Sequence, residues 1–331
     1  MILILSNNVF SKDTNPEYIK KFYKKFSIKS TVETNKLTYS LTPISLGKYS
    51  STELKNAKIN SLAYVPFTTS LSLSFWLISL SHTFQFTDTY FNKNNRKETT
   101  FRNYELSYYG KVFCLESYYQ DYKKLYYGTG TNSNVANSTL NNNLAYFQLG
   151  LKTFFIFNGS KYSYNAAFNQ SQFQIKPAGS FMLLTSFDYN QLKDNGGYIT
   201  SIDSSNIANY GVYSNLIGLN RNTQVNFNLL PGYGYTLVYK SIYLALAQYI
   251  GVGLQVQNYK QLSNSNSGSG FCLASRSKCA LGYNGKKIYT GVYFNSDISN
   301  SKTKNRFSTF QNRYNTGILL GFRIIKEKQK K

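Results

Sequence analysis

The chain has 331 residues, with 37 Lys plus Arg against 14 Asp plus Glu and a formal net charge of +23. Aromatic residues make up 17%, including 31 Tyr and 24 Phe, yet only 15% are charged; a disordered chain lacks such aromatics and an ordinary soluble domain is about a quarter charged, so neither class fits. Scarce Pro and Gly without a three-residue period exclude collagen-like sequence. Apolar runs such as 75–78 and 154–157 fall far short of the roughly 18 residues a membrane helix needs.

Residues 1–11 read as a signal-peptide remnant, with an apolar run at Met1 to Leu5 and a cleavage-like Val9, Phe10, Ser11. Residues 12–35, carrying Lys20, Lys21, Lys24 and Lys25, read as a basic periplasmic segment. From 36 onward the period is two, the spacing that sends alternate side chains to opposite faces of a strand. The pattern predicts strands over 36–46, 59–76, 78–87, 99–109, 111–122, 143–157, 161–173, 178–191, 223–239, 241–256, 272–284, 287–297 and 305–325. Residues 326–331 form a basic tail. In 223–239, Val225, Phe227, Leu229, Tyr233, Tyr235 and Leu237 share one face while Gln224, Asn226, Asn228 and Thr236 share the other. Pro66 and Pro231 fall inside predicted strands, where the missing N–H demands a bulge or an interruption.

Two kinds of connection alternate. Tight turns are predicted at 76–77, 109–111, 158–160, 240–241 and 284–287, with Asn158, Gly159 and Asn284, Gly285 as two-residue hairpin signals. Long polar loops are predicted near 47–58, 87–98, 123–142, 257–271 and 297–305. Short turns at one end and long loops at the other are the asymmetry of a transmembrane barrel. Strand parity breaks only across 192–222, and a further strand within 210–219 would restore it. The expected fold is therefore an all-β, antiparallel transmembrane β-barrel over 36–325, of about 14 strands within a range of 12–16. In hydrocarbon every backbone polar group must be paired, and a sheet achieves this only by closing on itself. Apolar and aromatic residues then face lipid, Tyr and Phe form interfacial girdles, and Ser, Thr, Asn, Gln and small residues fill the lumen.

The stretch Ser163, Tyr164, Asn165, Ala166, Ala167, Phe168, Asn169, Gln170, Ser171, continued by Gln174 to Phe181, resembles a family of uncharacterised Bacteroidota outer-membrane barrels catalogued as a domain of unknown function. Tyr64, Val65, Pro66; Trp76, Leu77; Gly232 to Tyr235; Leu281 to Asn284; and Gly321, Phe322, Arg323 agree in order along the chain. Phe67 departs from the Asn the pattern has after the proline, and the chain continues past Arg323 instead of ending on an aromatic strand residue. The resemblance implies fold and a Gram-negative outer-membrane location, and no substrate or catalytic residue.

No catalytic constellation is written. The single histidine, His82, shares the apolar face with Leu80, Phe84 and Phe86, whereas a hydrolase needs its His beside a Ser or carboxylates in a shared cleft. Glu105 and Glu116 lie on adjacent predicted strands, where luminal salt bridging to Lys or Arg is the expected role. Gly232, Gly234, Gly251 and Gly253 recur at spacing two, as crowding relief and not a phosphate loop, and carboxylates are too few for calcium loops. Cys114, Cys272 and Cys279 match no zinc pattern; they are either small unpaired residues or include a Cys272–Cys279 bridge. No catalytic, cofactor-binding or metal residue is therefore assigned. The cations are spread through termini and loops, as Lys93, Arg96, Lys97, Lys123, Lys124, Lys302 and Lys304, which suits lipid phosphates and lipopolysaccharide at the rims and not a nucleic-acid site. The expected function is non-enzymatic: a pore, a passive transporter or a structural component of an envelope complex. The alternative is a secreted or surface soluble β protein that binds glycans or matrix.

Overall fold

A computed structural model describes residues 15–22, 25–44, 58–85, 99–129, 138–194, 218–261, 264–303 and 307–325. Its strands are β1 (Ile19–Lys21), β2 (Lys25–Pro43), β3 (Ile59–Phe75), β4 (Ile78–Gln85), β5 (Thr100–Tyr109), β6 (Phe113–Thr129), β7 (Thr139–Ile156), β8 (Gln172–Gln174), β9 (Ala178–Asp194), β10 (Leu219–Tyr239), β11 (Ile242–Gln261), β12 (Asn264–Asn284), β13 (Ile288–Thr303) and β14 (Phe307–Ile325). Twelve of them, all but β1 and β8, form one closed antiparallel barrel. Closure runs through the ends of the chain: β14 pairs with β2 along its whole length, from Phe307 opposite Pro43 to Ile325 opposite Lys25.

Twelve strands lie at the lower bound of the expected range, and two differences from the sequence reading account for the number. The predicted strand 161–173 is not in the wall. That stretch belongs to an insert, residues 157–177, which holds a π-helical turn at Asn165–Asn169 and the short β8, paired with β1 in a separate two-stranded sheet. With 161–173 removed, β7 and β9 are antiparallel neighbours and parity needs no further strand before β10. The strand expected within 210–219 lies outside the described residues except at its end, where Leu219 opens β10. The barrel also starts at Lys25 and not at 36, because alternation already operates there: Ser27, Thr31 and Glu33 are buried while Ile28 and Val32 are exposed. Residues 1–11 and 326–331 fall outside the described part.

The expected end asymmetry is present, with two corrections. The predicted loops at 257–271 and 297–305 are largely strand, since β11 runs to Gln261, β12 begins at Asn264 and β13 reaches Thr303. The other long-loop-end connections span 44–58, 86–99, 130–138 and 195–218. At the opposite end, Trp76 and Lys240 take positive φ in two-residue turns.

The barrel tapers. β4 and β5 are short, and beyond their ends β3 pairs directly with β6, Ile59 to Leu62 opposite Thr129 to Tyr126. Twelve strands therefore surround the lumen at the short-turn end and ten at the long-loop end. A β-bulge flanks the fork on each side. On β3, Pro66 and Phe67 together oppose Thr34 of β2, whose Oγ1 donates to the Pro66 carbonyl at 2.7 Å; inward positions switch from Ile59, Ala63 and Val65 to Thr68, Ser70 and Ser72. Between β6 and β7 the register shifts at Lys124, at φ 61°, which alone faces Asn142, Asn143 and Leu144, and inward positions on β6 switch from Tyr118 and Tyr122 to Leu125. A bulge is where a strand tolerates a residue without a ladder donor, which places Pro66. Pro231 sits differently. It keeps register with Leu183 on β9, while the β11 ladder is interrupted between Val252 and Tyr249. There the backbones close in until a Cβ on Gly251 would lie 2.1 Å from the Leu229 carbonyl oxygen.

The outward face carries an apolar belt far too large for a soluble monomer. Ile250, Leu254, Phe181 and Phe271 are 64%, 60%, 72% and 76% exposed. Phe75, Trp76, Phe157, Tyr239 and Phe322 gather near the short-turn end as the girdle the composition predicts. The fold is that of a transmembrane barrel.

Candidate functional site

The lumen is filled in three layers. Toward the long loops, where ten strands close in, Leu37, Tyr39, Leu41, Ile59, Phe101, Tyr122, Leu144 and Tyr146 form one buried cluster. Side chains from opposite walls meet there: the rings of Tyr39 on β2 and Tyr146 on β7 are 5.5 Å apart, Asn222 on β10 donates to the Tyr39 hydroxyl at 2.7 Å, and Gln311 on β14 donates to the Tyr146 hydroxyl at 2.6 Å. This corrects the expectation of a polar lumen throughout. A narrower ring leaves less space to fill, and bulky apolar side chains fill it.

Below lies an ionic layer. Asp297 on β13 receives Lys152 of β7 at 2.8 Å and Arg313 of β14 in a still closer contact, with Arg276 Nε of β12 at 3.8 Å. Arg276 also reaches Asp188 on β9 at 2.9 Å. The Tyr118 hydroxyl donates to Asp188, and the Arg313 guanidinium donates to Gln120 and Gln148. The Tyr118 ring lies under Lys152 and Arg313, each 4.9 Å from its centroid. That pose depends on Gly150, directly opposite on β7, where a Cβ would sit 2.2 Å from the ring. Buried charges are tolerable only when paired, and this layer pairs and hydrogen-bonds its charges across six strands, with Arg276 Nη1 left without a partner among the described residues.

The third layer is the insert, which rises into the short-turn end. Ala167 packs with Tyr243, Ala245 and Ala280. Gln170 donates to the Tyr243 hydroxyl at 2.8 Å, and Arg323 of β14 donates to the Gln170 and Gly285 carbonyls and to Asn284 Oδ1. The Tyr164 ring lies between those of Phe154 and Phe168, tilted against both; burial holds its phenol well above the ordinary range, so it remains a neutral donor to Glu116. The Ala, Ala, Phe, Asn, Gln, Ser stretch that carries the family resemblance is thus the luminal insert.

Between insert and ionic layer lies a cavity of about 190 Å³. Glu116 lines it and forms the expected luminal salt bridge, to Lys278 at 2.8 Å. Glu105 lines it too but forms no salt bridge among the described residues, against the expectation, and does not face Glu116; their register partners are Tyr118 and Ser107. His82 lies outside the lumen as expected, stacked on Tyr104 at 4.4 Å. Cys272 points inward and Cys279 outward on the same strand, and all three cysteines are free, so the possible bridge is not formed. Among the described residues no group of His, Cys, Asp and Glu could hold a metal ion. The Lys152, Asp297, Arg313 and Asp188 network was not anticipated. Its inward parity was readable, its cross-lumen partners were not.

Among curated proteins, none matches the chain. Of the solved structures, it is similar to the outer membrane protease OmpT from Escherichia coli, at 9% identity and a TM-score of 0.44, over 96% of this chain and 100% of that one. It is more distantly similar to Ail, the attachment invasion locus protein of Yersinia pestis, at 9% identity and a TM-score of 0.23, over 91% and 99% of the two chains. A third likeness is to OpdQ of Pseudomonas aeruginosa, at 7% identity and a TM-score of 0.18, over 90% and 98%. The barrel itself rests on its own strand pairing and outward apolar belt, and these distant likenesses say nothing of its activity. The family model described as Domain of unknown function (DUF4421) matches residues 11–324, and the chain belongs to that family.

Proposed function

We propose that this protein is an outer-membrane barrel of the Bacteroidota type with an occluded lumen, acting as a non-enzymatic anchoring or binding component of the envelope and not as an open pore. One observation carries the reading: side chains from opposite walls, Tyr39 with Tyr146 and Asn222 with Tyr39, meet inside the ten-strand ring. Passive conduction needs a continuous water column, and a packed apolar layer lined by fully buried Leu37, Tyr122 and Tyr146 interrupts it. The insert fills part of a second level. The apolar belt fits lipid, and rim lysines fit lipid phosphates and lipopolysaccharide. The soluble glycan-binding alternative gains no support from an outward face of this kind.

The test is planar-bilayer recording on refolded protein. The unmodified barrel gives no conductance steps, whereas a variant with Tyr39, Tyr122 and Tyr146 all replaced by Gly and residues 161–173 replaced by a short Gly-Ser link conducts. Stable steps from the unmodified protein would overturn the reading. Fractionation tests location: recovery with the outer membrane and a heat-dependent gel shift are expected, and recovery as an aqueous species would remove it.

A further inference from the structure

The cavity has one wall unlike the rest of the lumen. Across β2 to β6 three inward rows lie one above another: Ser27, Ser74, Ser79, Ser107, Glu116; Lys29, Ser72, Ser81, Glu105, Tyr118; and Thr31, Ser70, Thr83, Asn103, Gln120. Hydroxyl side chains occupy the centre of every row, and three cross-strand pairs, Ser70 with Thr83, Ser72 with Ser81 and Ser74 with Ser79, satisfy one another at 2.8 Å. Small residues here create the cavity. The middle row places Lys29 and Glu105 on either side of two serines, three strands or roughly 14 Å apart along the wall at the Cα atoms.

The other charged residues lining the cavity are directly held. Glu116 pairs with Lys278, and Asp297 with Lys152 and Arg313; Glu33 accepts from Tyr293, Asn35, Asn315 and Ser70. Lys29 has no hydrogen-bond or ion-pair partner among the described residues. Among the described residues Glu105 accepts only from Asn103 Nδ2, at 2.8 Å. The Oδ1 of Asn103, a residue 5% exposed, is buried without a partner. The wall therefore offers three unused ammonium hydrogens at one side and a carboxylate with an orphaned amide oxygen at the other. The insert is tied to β5, β6, β7, β11, β12 and β14, while no described hydrogen bond or ring contact joins it to β2, β3 or β4.

We propose that this alcove binds a small zwitterion of the amino-acid class, its carboxylate on Lys29 and the serine hydroxyls, its ammonium on Glu105 and Asn103 Oδ1. The volume, room for roughly six waters, suits a solute of that size, taken up from the short-turn end along the unbraced wall. Water alone would fill the space but would leave an unpaired cation and anion facing each other; a zwitterion supplies the counter-charge to both at once.

Equilibrium dialysis of the refolded barrel tests this with L-alanine, L-alaninamide and N-acetyl-L-alanine as probes. Saturable binding of alanine is expected, weakened about tenfold or more in each blocked derivative. Lys29→Gln and Glu105→Gln each weaken alanine binding similarly while keeping the heat-dependent gel shift that reports the closed barrel. Absence of saturable alanine binding overturns the proposal, as does a blocked derivative binding as tightly as alanine itself. The blocked probes act on unmodified protein, so the result stands even where a variant fails to fold. Conductance of the barrel would overturn the occluded-lumen reading and leave this outcome unaffected.

Discussion

Asp297 is held among Lys152, Arg276 and Arg313, and its burial is tolerable only because of them. Asp297→Asn leaves Asp188 as the only carboxylate among three cations. The expected loss is about 3–5 kcal/mol, the cost of breaking a buried pair from one side, read as a lower urea midpoint of the refolded barrel. Adding Lys152→Met to Asp297→Asn recovers part of it, because one uncompensated charge goes with its partner. Equal midpoints for Asp297→Asn and the unmodified protein would show that water, and not the ion pair, carries this layer. The sequence was informative here only up to the choice of face. Period two marks Lys152 and Asp297 as inward, but the two are 145 residues apart, and which inward charges meet depends on the curvature of a closed wall. Glu116 could be assigned a basic partner; that the partner is Lys278, 162 residues away, could not be read.

Among the elements, the wall strands were legible and the insert was not, for one physical reason. A strand between lipid and lumen has two unlike faces and writes period two, as in β10 and β11; a segment buried almost throughout, as Ser163 to Gln170 is with Phe168 alone half-buried, has no such period. Asn158 and Gly159 do open a turn, but it leads inward and not to a neighbouring strand. Pro66 and Lys124 mark the bulges where inward parity switches, which is why 123–142 reads as loop although β6 continues to Thr129. The insert is pinned chiefly by Arg323, whose guanidinium also lies 4.3 Å from the Tyr289 ring centroid. Arg323→Gln removes the charge-assisted bonds to Gln170 and Gly285, interactions worth about 1.5–3 kcal/mol each. The insert then opens tenfold or more as often. Trypsin cleavage after Lys161 accelerates by that factor, with the gel shift intact. An unchanged cleavage rate would mean that packing of Ala167 and Tyr164 suffices to hold it.

For the whole molecule, closure is the property on which everything else depends. The seam between β2 and β14 joins the two ends of the chain, so no local contact can form it, and its long ladder appears only when the intervening strands are in place. A chain ending at residue 306 would keep eleven wall strands, nearly all of the apolar belt and most of the luminal layers. It would nevertheless expose two open edges to hydrocarbon, along β2 and β13, where each unpaired N–H and C=O costs several kcal/mol. It would also lose Arg313, which bridges Asp297 to Gln120 and Gln148 across the lumen, and Arg323, which holds the insert. The penalties exceed the roughly 5–15 kcal/mol by which a folded protein is stable. The truncated chain is therefore expected to show no heat-dependent gel shift and no cooperative urea transition in detergent or lipid. A compact, heat-shifting species from it would mean that the sheet reseals with β13 against β2; that geometry would remove the ionic layer, and alanine binding at Lys29 and Glu105 would report whether the serine wall survives on its own.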